Sequence, residues 1–342
     1  MKTCTWAPST FSGTQVVKAG NVRPEMPTGP ALRDLVKRHV TRIEGLGLSH
    51  LLIAQRWWGN AREIEGSTLD CLAMTDFIAA HTDRIQLVTA IHPGFFQPTA
   101  VAKWAATLDN LTGGRWSINV TSGWNIEEFS MYGIDALEHD ERYLRSSEFI
   151  DVLKGAWTQP GFSYSGTYYQ ANQLELSPKP LARLEVFQGG QSEAAIRMAC
   201  KKSDWMFLNG GSLEKITAVI ERVRQIGEQE GRCPRFAVYG IPVCRPTDEE
   251  AQRVIEAMLA SVDQAVLKDR LKRVGGAKGM WADTDLLNML DTNEGYATGL
   301  IGCPQTIIEQ AQAFKAAGVE MFHLALGDQL FEAEVLPALI AL

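Results

Sequence analysis

The chain has 342 residues, of which 45% are hydrophobic and 21% charged, and its formal net charge is −7. That length suits one large α/β domain or two smaller ones, each able to bury a core. The acidic balance argues against nucleic acid as the main partner, because phosphate binding needs a basic face.

Short apolar strands alternate with helical patterns from the start. Residues 4–6 read as a first strand. Leu32, Leu35, Val36, Val40, Ile43 and Leu46 stand at helical spacing in 31–47, and Gly45 and Gly47 can end that helix. Strands are expected at 50–54, 85–91 and Trp116–Val120, with helices at 69–80 and 99–111 between them. After a longer connection, 141–157 is helical and 162–169 reads as a small hairpin around Gly166. Strands follow at 184–188, Trp205–Leu208, 236–243 and 321–326; helices start at Ser192 and fill 213–229 and Pro304–Ala317.

Eight βα-like units imply a parallel sheet, since parallel strands need crossover connections, and eight favour closure into a (β/α)8 TIM barrel. Residues from about 244 to 300 break the rhythm. They are read as an insertion or mobile lid before the last strand, with an ordinary helical excursion as the equal alternative. No repeat or linker forces a second domain, so residues 1–342 are expected to form one barrel domain.

Six cysteines form no Cys-x-x-Cys pair and have no histidine at zinc spacing, so no metal site is expected. Scattered thiols fit a reducing compartment. The first residues lack an apolar signal core, and no window approaches the roughly 18 apolar residues of a membrane span. A cytoplasmic protein without a membrane partner is expected.

Chemistry in barrels collects at the carboxyl ends of strands. Asn119-Val-Thr-Ser-Gly-Trp124 ends a buried strand with an amide, hydroxyls and a glycine. His92 directly follows another strand and is the histidine best placed for catalysis. Gly189-Gly190-Gln191-Ser192 joins a strand to a helix: the glycines allow close backbone approach, Ser192 can cap the helix, and free N–H groups there favour a phosphate. Arg142 and Tyr143 open a helix and can also reach a phosphate, whereas Arg56 can serve a ligand or stack on an indole. Trp57, Trp58 and Trp124 fall near strand ends and can wall a flat apolar pocket. No nucleophile elbow or Ser/His/Asp order is present.

Ala105-Ala-Thr-Leu-Asp-Asn-Leu-Thr-Gly-Gly-Arg115, Asn119-Val-Thr-Ser-Gly-Trp124, Leu137-Glu-His-Asp-Glu-Arg-Tyr143, Ser177-Pro-Lys-Pro180 and Phe187-Gln-Gly-Gly-Gln-Ser192 together resemble the bacterial luciferase-like, flavin-dependent monooxygenases. The likeness is to the branch of alkanesulfonate, dimethylsulfone and pyrimidine monooxygenases, nearest the dimethylsulfone type, and it runs over nearly the whole chain. It implies a barrel that takes reduced FMN (FMNH2) from a separate NAD(P)H:flavin reductase and uses O2 as co-substrate, commonly as a homo-dimer or tetramer. By the same resemblance Asn119, also a catalytic candidate, and Glu128 lie near the flavin ring and ribityl chain. Gln55 and Arg56 touch the flavin, and Arg142, Tyr143, Gly189, Gly190 and Ser192 hold its phosphate.

The chain departs from the sulfonate type. Tyr239 and Ile241 stand where those enzymes carry Arg and His, Ala297 replaces a loop Arg, and 325–329 is shortened. A sulfonate is a permanent anion, and burying it without a cationic partner costs several kcal/mol. The expected substrate is therefore neutral: a sulfone, a cyclic amide or a heteroaromatic ring, against Trp57, Trp58, Trp124 and Tyr239. Two other readings stand beside this one: a hydrolase or lyase using His92 and Glu128, and a non-catalytic flavin- or F420-binding relative.

Overall fold

The computed structural model describes residues 1–11, 16–17, 25–57, 66–123, 125–268 and 285–342. Eight parallel strands close into a barrel: β1 (Lys2–Trp6), β2 (His50–Ile53), β3 (Gln86–Ile91), β4 (Trp116–Val120), β5 (Val186–Gly189), β6 (Trp205–Leu208), β7 (Arg235–Gly240) and β8 (Val319–Leu324). Each pairs with its chain neighbour, and β8 returns to β1 through Lys2–Met321 to Thr5–Leu324. The expected (β/α)8 barrel is present.

The helices between strands form for local reasons. α1 (Pro30–Gly45) starts on proline, which tolerates the first turn because its missing N–H has no intrahelical partner there. In α2 (Cys71–Ala79) the Asp70 side chain accepts from Ala73 N at 2.8 Å. α3 (Pro98–Thr112) closes on Gly113 at φ 70°, a left-handed position that favours glycine. α4 (His139–Thr158) begins with a reciprocal capping box between Glu138 and Glu141. α5 (Glu193–Lys202) and α6 (Leu213–Glu230) are capped by Ser192 and Ser212. In α6, Ile216, Ile220, Val223 and Ile226 recur at helical spacing and bury one face against the barrel. α7 (Pro304–Ala317) precedes β8 and ends on Gly318.

Residue parity divides the core. Outward-facing Leu51, Ile53, Leu87, Ile91, Ile118 and Val238 pack under the helices. Inward-facing Cys4, Leu52, Val88, Phe187, Trp205, Ala237 and Met321 fill the barrel. Phe187 and Trp205 stack at 5.5 Å, and the Arg235 guanidinium lies 4.0 Å from the Trp205 ring on the side of the strand starts. That end is plugged by aromatic and ionic groups, so open volume is left to the carboxyl ends.

Several boundaries differ from expectation, most by one or two residues, and three of the differences are informative. The strand expected at 236–243 stops at Gly240, because Pro242 has no N–H for a ladder bond; Val243–Cys244 pairs instead with Ile301–Gly302. The last strand is shifted toward the start of the chain, to Val319–Leu324. The hairpin extends past the expected limit, pairing Phe162–Ser165 with Gln170–Leu174.

Within 244–300, Asp248–Ala260 is helical. It builds a small separate core with Val17, Val243, Met289 and Tyr296. Asn293 O accepts from Gly210 N at 2.8 Å, Glu294 pairs with Lys215 at 2.9 Å, and Thr298 Oγ1 donates to Tyr239 O at 2.6 Å. The stretch 293–298 is thus tied to the barrel rim beside β6 and β7. Among the described residues no helix is long and apolar enough to cross a membrane.

Candidate functional site

A cavity opens at the carboxyl ends of the barrel strands and is walled by groups from all eight. One end is polar. Gly189 and Gly190 leave β5 there, and Gly190 sits at φ 109°. A Cβ on Gly190 would come 2.7 Å from the Tyr143 hydroxyl and 3.0 Å from Ala195 Cβ, so glycine is needed for both conformation and space. Tyr143, at the start of the second turn of α4, hydrogen-bonds the Ser192 side chain. Ser192 Oγ in turn accepts from Ala195 N at 3.3 Å. Burial raises the Tyr143 pKa, with Ser192 and Arg142 pulling it back down, so the phenol keeps its proton at neutral pH.

Arg142 is adjacent but does not line the cavity. Its Nη1 donates to Gly123 O, and its Nε has no hydrogen-bond partner among the described residues. The guanidinium therefore fixes the turn whose Thr121, Ser122 and Gly123 form cavity wall.

Three further polar groups converge at mid-cavity. Gln55 Oε1 accepts from His92 N at 2.6 Å, which leaves Gln55 Nε2 buried without a partner among the described residues. Asn119 Oδ1, from the end of β4, and His92 Nδ1 are in the same state. Each such atom costs about 1–3 kcal/mol when left unsatisfied, and such groups mark places where a ligand or water completes the bonding. Burial lowers the His92 pKa to about 3, with Arg56 and Arg145 adding to the effect. The imidazole is thus neutral at physiological pH and is a weak general base.

Two expected residues sit elsewhere. Glu128, 1% exposed, lies on the short helix Ile126–Met131 and accepts from Trp57 N at 3.4 Å rather than lining the cavity. Trp57 stacks on Phe95 at 4.9 Å and also meets Phe96 and Tyr132. It packs in an aromatic cluster and is not among the residues lining the cavity. Trp58 and Trp124 lie outside the described residues.

The other end of the cavity is aromatic. Tyr239 lines it as expected, joined by Trp6, Phe207 and His323, and Asn209 and Asn293 complete the rim. Sequence reasoning passed over these. A signal was present: Trp6, Phe207 and His323 have the inward parity of Cys4, Trp205 and Met321, two residues earlier on their strands. Strand-end placement applies to Trp6 and Phe207 as it does to His92, whereas His323 falls inside the strand expected at 321–326.

A closed barrel with a polar, glycine-lined cavity at its strand ends is shared by a defined class of enzymes. The luciferase-like monooxygenase family matches residues 5–321, and the chain belongs to that family. It is 39% identical over 282 residues to an FMNH2-dependent dimethylsulfone monooxygenase of Pseudomonas putida, covering 78% of each chain. It is 26% identical over 263 residues to the pyrimidine monooxygenase RutA of Acinetobacter baylyi, covering 75% of this chain and 71% of that one. In fold it superposes on a crystal structure of riboflavin lyase (RcaE) with a TM-score of 0.79 at 19% identity, covering all of this chain and 91% of the other.

Proposed function

We propose that the chain is an FMNH2-dependent monooxygenase that inserts one oxygen atom of O2 into a small neutral organosulfur, amide or heteroaromatic substrate. The observation that carries this is the convergence of Tyr143 and the Gly189–Gly190 turn with the unpartnered Gln55 Nε2 and Asn119 Oδ1 around one cavity, with Ser192 bonded to Tyr143 outside the lining. The donor set fits reduced FMN. The α5 start, Ser192 and the protonated Tyr143 suit its phosphate. Gln55 offers a donor and Asn119 an acceptor to the ring edge. When bound, reduced flavin supplies the two electrons that oxygen activation requires.

The protein's own share is positional. Arg142 holds the Thr121–Gly123 turn. Gln55 is held by the His92 backbone, and His92 offers a neutral hydrogen-bonding ring. The rim at 293–298, part of the proposed insertion at 244–300 within one domain, narrows solvent access. Arg56 is the one cationic side chain among the described lining residues; a neutral substrate is favoured over a sulfonate because Tyr239 and Ala297 stand where the sulfonate type carries arginines. The hydrolase reading is weakened, since neutral His92 has no carboxylate beside it among the described lining residues. Electrons are expected from a separate NAD(P)H:flavin reductase, and the resemblance points to a homo-dimer or tetramer.

Anaerobic titration with reduced FMN should show saturable binding, and admitting oxygen with reductase and substrate should yield a product carrying one oxygen atom from labelled O2. Absence of saturable binding would sink the assignment. Tight binding without oxygen consumption would favour a non-catalytic flavoprotein.

A further inference from the structure

The aromatic groups of the cavity wall are not used by the reading above, and they form a defined box. The Trp6 and His323 ring centroids are 4.3 Å apart, Tyr239 and His323 5.1 Å, and Phe207 and His323 5.5 Å. Each ring comes from a barrel strand, β1, β6, β7 or β8, so its place is set by the scaffold rather than by a loop. His323 is 3% exposed, and its Nε2 has no hydrogen-bond partner among the described residues.

The four side chains of the box are themselves uncharged, although Trp6 and Tyr239 also border a second cavity lined by Arg42, Arg56, Asp291 and Asp328. At His92, Arg56 and Arg145 help depress the imidazole. At His323 burial alone does so, to about 3, with no charged neighbour contributing. Trp6, Phe207, Tyr239 and His323 thus bring uncharged side chains to the wall, with Phe207 in register with Gly189 of the neighbouring strand.

We propose that Trp6, Phe207, Tyr239 and His323 form the substrate subsite, where three rings enclose a compact uncharged molecule and His323 Nε2 makes the directional hydrogen bond that selects it. This rests on the flavin reading, which assigns the polar end of the cavity to the cofactor. A neutral imidazole presents a donor or an acceptor at Nε2 according to tautomer; a sulfonyl or carbonyl oxygen requires the Nε2–H form. A molecule lacking a polar group leaves Nε2 unpaired, and a sulfonate would give up its hydration for uncharged rings. Both are rejected more strongly than a difference in size alone would achieve.

His323→Phe keeps a ring in the box and deletes the nitrogen, and His323→Asn returns a polar group. Reduced-FMN affinity is measured anaerobically for each. Dimethyl sulfone, uracil and methanesulfonate are then titrated separately onto flavin-loaded protein. Flavin affinity should stay within about twofold, since no flavin contact is removed. The wild type should bind at least one neutral probe and not methanesulfonate. His323→Phe should weaken that probe by roughly tenfold or more, with partial recovery in His323→Asn. Should His323→Phe fail to fold, Trp6→Phe gives the second readout: neutral-probe affinity falls while flavin affinity holds. The subsite is overturned if the variants leave probe affinity unchanged, if methanesulfonate is preferred, or if flavin-loaded wild type binds neither neutral probe. Failure of the wild type to bind reduced FMN would instead overturn the cofactor reading.

Discussion

Tyr143 and Ser192 share one hydrogen bond, so their contributions to flavin binding are coupled. Tyr143→Phe and Ser192→Ala should each weaken reduced-FMN binding by about 1–3 kcal/mol. Because either change leaves the other hydroxyl without its partner, the double variant should lose less than the sum. Flavin affinity unchanged in both single variants would refute the phosphate end. Asn119→Ala removes an acceptor that has no other partner in the described residues. Its expected signature is reduced product formed per flavin oxidised, with affinity largely retained; equal loss of both would assign Asn119 to binding alone. At this scale the sequence was informative where a residue type matched a strand end. It was blind to direction, as Trp57 and Glu128 show, since both were expected at the ligand and neither lines the cavity.

Among the elements, the β5–α5 junction and α4 make separable predictions. Gly190→Ala would place a methyl 2.7 Å from the Tyr143 hydroxyl at a left-handed backbone position. Flavin binding should drop by more than in Tyr143→Phe, as read by the same titration, because the turn itself must move. Gly155 lies far along α4, where an added Cβ would meet the Phe162 ring at 2.0 Å. Gly155→Ala should therefore cost about 1–3 kcal/mol of stability through overpacking, measured by urea denaturation, while flavin affinity in the folded fraction is unaffected. Periodicity located the helices well because their apolar faces repeat along the chain. It misplaced the end of β7, where Pro242 stops the ladder, and extended β8 beyond Leu324 because the apolar run continues after pairing ends.

For the whole molecule, three buried histidines link stability to pH. Burial lowers His50, His92 and His323 to about 3, below the ordinary 6.5, with Lys2 and Arg235 contributing at His50. The unfolded chain binds protons more readily at these sites than the folded one. Their stabilisation is complete above about pH 6.5 and declines as pH falls toward 3. From pH 7 to 5 each should cost on the order of 2 kcal/mol, before most carboxylates titrate. Denaturation midpoints across that range should fall steeply, and less steeply in His323→Phe; a flat profile would mean the rings are hydrated in solution.

The amino-acid pattern alone determined the barrel, because alternating βα units admit few closed arrangements and each unit's apolar face is written locally. It also located the glycine turn, the Ser192 cap and the strand ends that reach the cavity. Tertiary structure decided which strand-end side chains face inward and which groups meet. Trp6, Phe207, Tyr239 and His323 lie in four separate strands across more than 300 residues. Their convergence depends on barrel closure and on the register of β8 with β1 and β7, a long-range pairing that no local spacing encodes.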